Sequence, residues 1–303
     1  MLGFFVWNLD RVLVHVGPLT IYYYGIIFAL TLLLAFVVWR RQILRGGYTN
    51  AQADGFFLWG TIAVLVGARL GHCLFYDPEF YLPDPQQILR IWDGGLSSHG
   101  AFLALLLVLF IYARVNRIRP LEIMDRFTMS AAIGAAGIRL ANFVNSEIVG
   151  RVTDVPWAVR FMRYSDHGEF PRHPSQLYEF ALGILVLIVL ILTDRKAGKE
   201  KRPLGLLTGV FMLVYFGGRF FVEFFKEYQT TWEDQTWFTM GQMLSFVPCL
   251  AGAALLIWVW RKKIPTDSLR PVPATESHKP ANTSHQPQAT SHKDKKVGGK
   301  KTR

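Results

Sequence analysis

Charge is what this sequence is short of. Asp, Glu, Lys and Arg make up only 18% of its 303 residues, where a soluble domain carries about a quarter. Set beside 51% hydrophobic residues, that scarcity excludes a disordered chain and an ordinary water-soluble enzyme. Cysteine is scarce too. Cys73 and Cys249 both lie in apolar runs, which excludes a disulfide-stapled secreted module. The chain has no Gly-x-Ser-x-Gly elbow, no His-Glu-x-x-His pair and no Walker loop, and His72 and His99 lack metal-ligand spacing. Neither metal nor cofactor is therefore expected. Residues 1–30 lack a basic stretch followed by a small-residue cleavage site, so no removed signal peptide is expected.

What the sequence does have is long apolar runs. A bilayer core of about 30 Å needs roughly 20 mostly apolar residues in a helix. Seven stretches qualify: Leu19–Trp39, Gly55–Tyr76, Gly94–Ala113, Phe127–Glu147, Pro174–Thr193, Pro203–Glu223 and Phe238–Trp260. The expected fold is an all-α polytopic membrane protein, a bundle of about seven transmembrane helices over residues 1–263. A small outer-face insertion occupies 148–173, and Met1–Val16 reads as a short amphipathic or interfacial segment. With the N-terminus outside, the cytoplasmic segments hold 23 Lys and Arg and the outside segments 7. The positive-inside rule then gives N-out, C-in, as an odd number of spans requires. Residues 264–303 hold eight Lys or Arg against three Asp or Glu. This stretch reads as a disordered cytoplasmic tail loosely drawn to anionic lipid, not as a nucleic-acid arm.

Ionisable side chains inside a membrane are expensive and mark function. At about 1.5 Å of rise per residue, six helices bring Tyr24, Arg69, His72, His99, Arg139, Asn142, Glu147, Glu179, Arg219 and Glu223 into the outer half of the bilayer. The inner half is expected to offer almost nothing comparable. A guanidinium fork matches phosphate oxygens, so Arg69, Arg139 and Arg219 point to a cavity for an anionic headgroup. His99, at a helix mouth in Gly94-Gly95-Leu96-Ser97-Ser98-His99-Gly100, carries an imidazole, a side chain suited to proton transfer.

These residues resemble a known family, the bacterial phosphatidylglycerol–prolipoprotein diacylglyceryl transferases. Arg139-Leu-Ala-Asn142-Phe143-Val-Asn145-Ser-Glu147-Ile-Val-Gly150-Arg151 is similar to the family signature R-x-x-N-F-x-N-x-E-x-x-G-R. Arg172-His173-Pro174-Ser175-Gln176-Leu177-Tyr178-Glu179, Arg219-Phe-Phe-Val-Glu223-Phe, Gly241-Gln242-Met-Leu-Ser245, Tyr24-Gly25 and Gly67-Ala-Arg69-Leu-Gly71 also fit. Ile138 and Ser146 stand where Gly is usual, Val149 where Trp is common, and Ala101 where a second Gly is frequent.

The resemblance implies transfer of a diacylglyceryl group from phosphatidylglycerol to the lipobox cysteine thiol of a prolipoprotein signal peptide, with glycerol 1-phosphate leaving. It implies His99 as base or thiol orienter, with Arg139 and Arg219 holding the phosphate. Asn142, Glu147, Gly150, Tyr24, Arg69 and Glu223 would complete the phosphatidylglycerol site. The expected location is the bacterial inner membrane, with the site toward the periplasm and no nucleic-acid partner. An anionic-lipid transporter or another phospholipid headgroup transferase remain the alternatives.

Overall fold

The computed structural model describes residues 4–90, 94–228 and 238–266. Seven helices are long and apolar enough to cross a membrane, and the chain is a multi-pass membrane protein. The spans are α1 (Tyr23–Arg45), α2 (Asn50–Phe75), α4 (Ser98–Val115), α5 (Pro120–Val144), α6 (Ser175–Lys196), a composite sixth span, and α9 (Met240–Lys262). The sixth span runs through α7 (Leu206–Phe211), a π turn (Met212–Phe216), α8 (Gly217–Val222) and a 3-10 turn (Glu223–Phe225). A short helix, α3 (Pro78–Tyr81), follows α2.

The helices start where the sequence supplies caps. Thr49 and Thr239 form capping boxes with Gln52 and Gln242, Ser97 accepts from the Gly100 amide, and Pro120 stands in the first turn of α5. In lipid, helices associate through small residues that let backbones approach. α2 and α4 meet this way. A Cβ on Gly67 or Gly71 would lie within 2.7 Å of atoms of α4. α5 is the most buried of the spans and packs against α1, α4, α6 and α7.

The chain is mostly helical, but four short strands qualify the all-α expectation. β2 (Val12–Val16) pairs antiparallel with β3 (Leu19–Tyr22), turning at Gly17, whose φ is +58°. β1 (Phe5–Trp7) lies parallel to β4 (Val159–Phe161) in the insertion. The expected first span began at Leu19 because the apolar run begins there. The β-branched alternation and the Gly17-Pro18 turn instead claim Leu19–Tyr22 for a hairpin, and helix begins at Tyr23.

Helical rise alone predicts few charges at the end of the bundle opposite Tyr24, but that end is rich in them. Arg126, fully buried, meets Glu122 at 2.8 Å and Glu200 at 2.7 Å. Arg45 meets Asp194 at 2.6 Å and Glu200 at 2.8 Å, and Arg202 meets Asp194 at 3.0 Å. Buried Asp125 accepts the Gly205 and Thr208 amides, both at 2.8 Å, and so caps α7 from another helix. These residues sit at span ends and beside loops, where sequence alone makes them look like topogenic loop charges.

The tail boundary shifts as well. The Leu204 amide donates to Ile264, and buried Thr266 bonds the Arg202 carbonyl through both its amide and its hydroxyl. Residues 264–266 thus belong with the bundle. The expected disorder of the remaining tail falls on 267–303, outside the described residues.

This network makes stability depend on acid. Burial opposes ionisation of Glu200, but hydrogen bonds from Arg126 and Arg45 and the charges of Arg126 and Arg202 outweigh it and hold the carboxyl at about 2. Its contribution is complete above its ordinary value of 4.5 and is lost as pH falls from there toward 2. Thermal unfolding in detergent should show about 2 kcal/mol of this stabilisation at neutral pH disappearing in that window, after allowance for partial exposure. Glu200→Gln should unfold earlier at neutral pH and show little of the acid loss.

Candidate functional site

At the Tyr24 end, the polar residues of three spans converge on Glu179 of α6. Arg139 of α5 places its Nε 2.8 Å from Glu179 Oε2. This is a charge pair off the line of a hydrogen bond, so both Glu179 oxygens remain open as acceptors. Lys226 places its Nζ 3.0 Å from Glu223 and 4.0 Å from Glu179. Arg219 of α8 stands within electrostatic reach of Tyr215, Glu179 and Glu223, and its buried Nε has no hydrogen-bond partner. Glu223 lies against Gly241 of α9, where a Cβ would fall 2.3 Å from the carboxyl. Glu147 joins the cluster through Asn142.

The signature folds around this cluster. Arg139 Nη1 reaches Asn142 Oδ1 at 3.5 Å, and Asn142 Nδ2 reaches Glu147 Oε2 at 3.4 Å, both long contacts. Asn145 donates to Glu147 Oε1 at 3.1 Å, and Gln176 donates to the Glu147 carbonyl at 2.7 Å. Tyr24 stands within electrostatic reach of Glu147 and Arg139. A cavity of about 500 Å³ beside it is lined by Thr20, Ile21, Tyr22, Tyr24, Gly25, Ile26 and Asn145.

Gly150 and Arg151 act at the other side of the cluster. A Cβ on Gly150 would come within 2.5 Å of the His173 and Phe225 carbonyls. The Arg151 amide donates to Phe225 at 2.9 Å, and its Nε donates to the Lys226 carbonyl at 2.8 Å. The insertion therefore grips the chain segment that carries Glu223 and Lys226. His173 joins this grip. Burial pushes its imidazole below the usual range, and the ring packs 5.1 Å from that of Phe225.

Two expected site residues stand apart. Arg69 directs its guanidinium at backbone carbonyls: Nε to Ile88 at 2.8 Å, Nη2 to Gln87 at 2.7 Å and Arg90 at 2.9 Å, and Nη1 to Gly94 and Gly95. It also stacks 4.8 Å above Tyr81. Arg69 thus organises the loop that leads into α4. Exposed His99, in the first turn of α4, pairs its Nδ1 with the Tyr76 hydroxyl at 3.0 Å and is not joined to the Glu179 cluster. Among the described residues, no three His, Cys, Asp or Glu side chains gather to hold a metal.

Sequence reasoning missed Lys226, which looked like a loop residue, and Tyr215, an ordinary aromatic in an aromatic run. The signal for Tyr215 is the π turn it lies in, a feature common at functional sites, which no spacing in the sequence reveals.

This arrangement defines a class: a multi-pass membrane protein with cations and carboxylates clustered at one end of its helix bundle and an unpartnered guanidinium nitrogen inside the cluster. The family model for prolipoprotein diacylglyceryl transferase matches residues 11–258. A phosphatidylglycerol–prolipoprotein diacylglyceryl transferase of Nitrosomonas europaea is 40% identical over 257 residues, covering 83% of this chain and 90% of the relative. Proteins of the same name from Tolumonas auensis and Pseudomonas putida are each 37% identical, covering 85% and 86% of this chain and 98% and 96% of the relatives. The chain belongs to the prolipoprotein diacylglyceryl transferase family.

Ser146, where the family usually has Gly, sits at φ +58° with its buried hydroxyl unpartnered. A left-handed conformation costs a non-glycine residue about 1–2 kcal/mol. Ser146→Gly should therefore raise the thermal unfolding midpoint in detergent, with a stabilisation of about 1 kcal/mol. A lower midpoint would mean that the hydroxyl is bonded in solution.

Proposed function

We propose that this chain transfers the diacylglyceryl group of phosphatidylglycerol to the thiol of a prolipoprotein's lipobox cysteine. The thiolate sulfur forms a thioether bond to the glyceryl carbon as the carbon–oxygen bond to the phosphate breaks. The thiol proton passes to a base, and glycerol 1-phosphate leaves. The observation that carries the reading is the buried Arg219 Nε without a partner, within electrostatic reach of the Glu179 that pairs with Arg139. Such donors are complementary to phosphate oxygens, and the more so as negative charge grows on the leaving phosphate.

Arg139 and Arg219 hold the phosphate, Glu179, Glu223 and Lys226 fix those guanidinium groups, and Asn142, Glu147 and Tyr24 orient the headgroup. Gly150 acts through its grip on residues 225–226. Arg69 is a positioning residue for the loop before His99. His99 is the base or orienter of the thiol, its ring fixed by Tyr76. It belongs to the α2–α4 pair, whereas the phosphate cluster belongs to α5, α6 and the sixth span. The two reactants are thus held by different sets of helices. The bias of 23 to 7 basic residues supports a site facing the periplasm in the inner membrane.

The direct test is mass analysis of a lipobox peptide incubated with purified protein and phosphatidylglycerol. A diacylglyceryl adduct supports the reading, and its absence with folded protein overturns it. Arg139→Ala should lower turnover by about a hundredfold or more. Arg139→Lys should remain strongly impaired, because an ammonium keeps the charge but loses the fork. Wild-type turnover in Arg139→Lys would exclude two-pronged recognition. His99→Gln should slow the thiol reaction while leaving lipid affinity near normal. For topology, a cysteine placed within 80–90 should react with an impermeant reagent from outside the cell, and labelling only from the cytoplasm would reverse the orientation.

A further inference from the structure

We propose a second lipid site at the far end of α1: a groove for the headgroup of a phospholipid bearing one negative charge, in the leaflet opposite the reaction site. α1 is free of charge from Tyr23 to Trp39 and then reads Arg40-Arg41-Gln42-Ile43-Leu44-Arg45. The groove therefore lies where the apolar run gives out, at headgroup level. Arg41 is 17 residues beyond Tyr24, about 26 Å along the helix, so the groove is distinct from the phosphate cluster.

Val37, Arg40, Arg41, Leu44 and Arg45 share one face of the helix and line a cavity of about 560 Å³. Its rims are held in place. Arg40 leans to α2, with Asn50 at 2.6 Å and Asp54 at 3.1 Å. Arg45 leans the other way, to Asp194 at 2.6 Å and Glu200 at 2.8 Å. Val37 and Leu44 supply apolar walls. Arg41 is exposed, and among the described residues it meets no acceptor.

Charge chooses the occupant. Arg40 and Arg45 are matched by carboxylates, so the groove keeps one uncompensated cation on a forked group suited to phosphate oxygens. A phosphodiester lipid of net charge minus one, such as phosphatidylglycerol, matches that charge, and the apolar walls receive the start of its chains. The pinned arginines separate this from the diffuse attraction of loop cations for a charged surface, because they give the headgroup a fixed place.

Native mass spectrometry of the detergent-purified protein tests this, titrating with phosphatidylglycerol, phosphatidylcholine or water-soluble glycerol phosphate. Arg41→Gln should weaken one phosphatidylglycerol binding event by about fivefold, the scale of one basic residue at a charged lipid surface, with an unchanged unfolding temperature. Arg41→Lys should recover part of the loss. Phosphatidylcholine and glycerol phosphate should bind this site far less well. Equal phosphatidylglycerol retention by wild type and Arg41→Gln would overturn the proposal. So would phosphatidylcholine binding as well as phosphatidylglycerol, or glycerol phosphate alone sufficing. Because Arg41 is remote from Arg139, failure here leaves the proposed reaction untouched, and failure of the peptide assay leaves this site untouched.

Discussion

A charge inside a lipid-facing bundle is tolerable only beside its counter-charge, and this structure is arranged around that constraint. α5 carries one half of each solution. Near its start, Glu122, Asp125 and Arg126 tie α1, α6 and α7 together through Glu200, Arg45 and the α7 amides. Near its end, Arg139 pairs with Glu179 of α6, which also faces Lys226 and Arg219 of the sixth span. The most buried helix is thus fastened at both ends by ion pairs, and the middle is left to small residues and aromatic packing. Removing one partner of a buried pair strands the other, which costs far more than the pair contributes. Both ends are therefore intolerant of single losses.

The two networks differ in how closely their charges meet, and each keeps unpartnered guanidinium nitrogens, Arg202 Nε and Nη2 in the first and Arg219 Nε in the second. In the Arg126 network, one guanidinium reaches two carboxylates and the Gln42 carbonyl at 2.6 Å. In the Glu179 network the contacts around the signature are long, at 3.4 and 3.5 Å between side chains, and Arg219 Nε bonds to nothing. Short charge contacts make the first network a structural clasp. The long contacts around the signature leave polar groups that a ligand can complete, since an unmade hydrogen bond in an apolar setting is costly.

Much of this was legible in the sequence. Seven apolar runs gave seven spanning helices, and helical rise brought Tyr24, Arg139, Asn142, Glu147, Glu179, Arg219 and Glu223 to one end. What stayed hidden depends on partners distant in sequence. Depth along a helix cannot tell a guanidinium that faces a ligand from one that faces its own loop, and Arg69 finds its carbonyls 18 to 26 residues on. Arg126, Arg202 and Lys226 flank the apolar runs, which in sequence marks them as loop charges. Their burial comes from carboxylates both near and distant in sequence and from the strand-like docking of Gly150 against Lys226. The hairpin before α1 was absorbed into an apolar run, since hydropathy does not distinguish a strand from the start of a span.

The balance of charge in the site bears on the proposed chemistry. Reading Arg139 and Arg219 alone suggests a cationic trap for an anionic headgroup. With Lys226, Glu147, Glu179 and Glu223 included, carboxylates offset much of that positive charge before lipid arrives. A phosphodiester then brings one negative charge into a site that must recognise it chiefly by donor geometry, because net attraction is weakened. As the carbon–oxygen bond breaks, the phosphate gains a second negative charge. In the proposed reaction the Arg139 and Arg219 guanidinium groups would stabilise that charge without reorganising. Once freed, the dianion meets three fixed carboxylates, and their repulsion favours release over retention. A site of three unbalanced cations would bind the donor more tightly but hold the product more tightly still. Carboxylates that offset the guanidinium charge therefore suit turnover as well as binding.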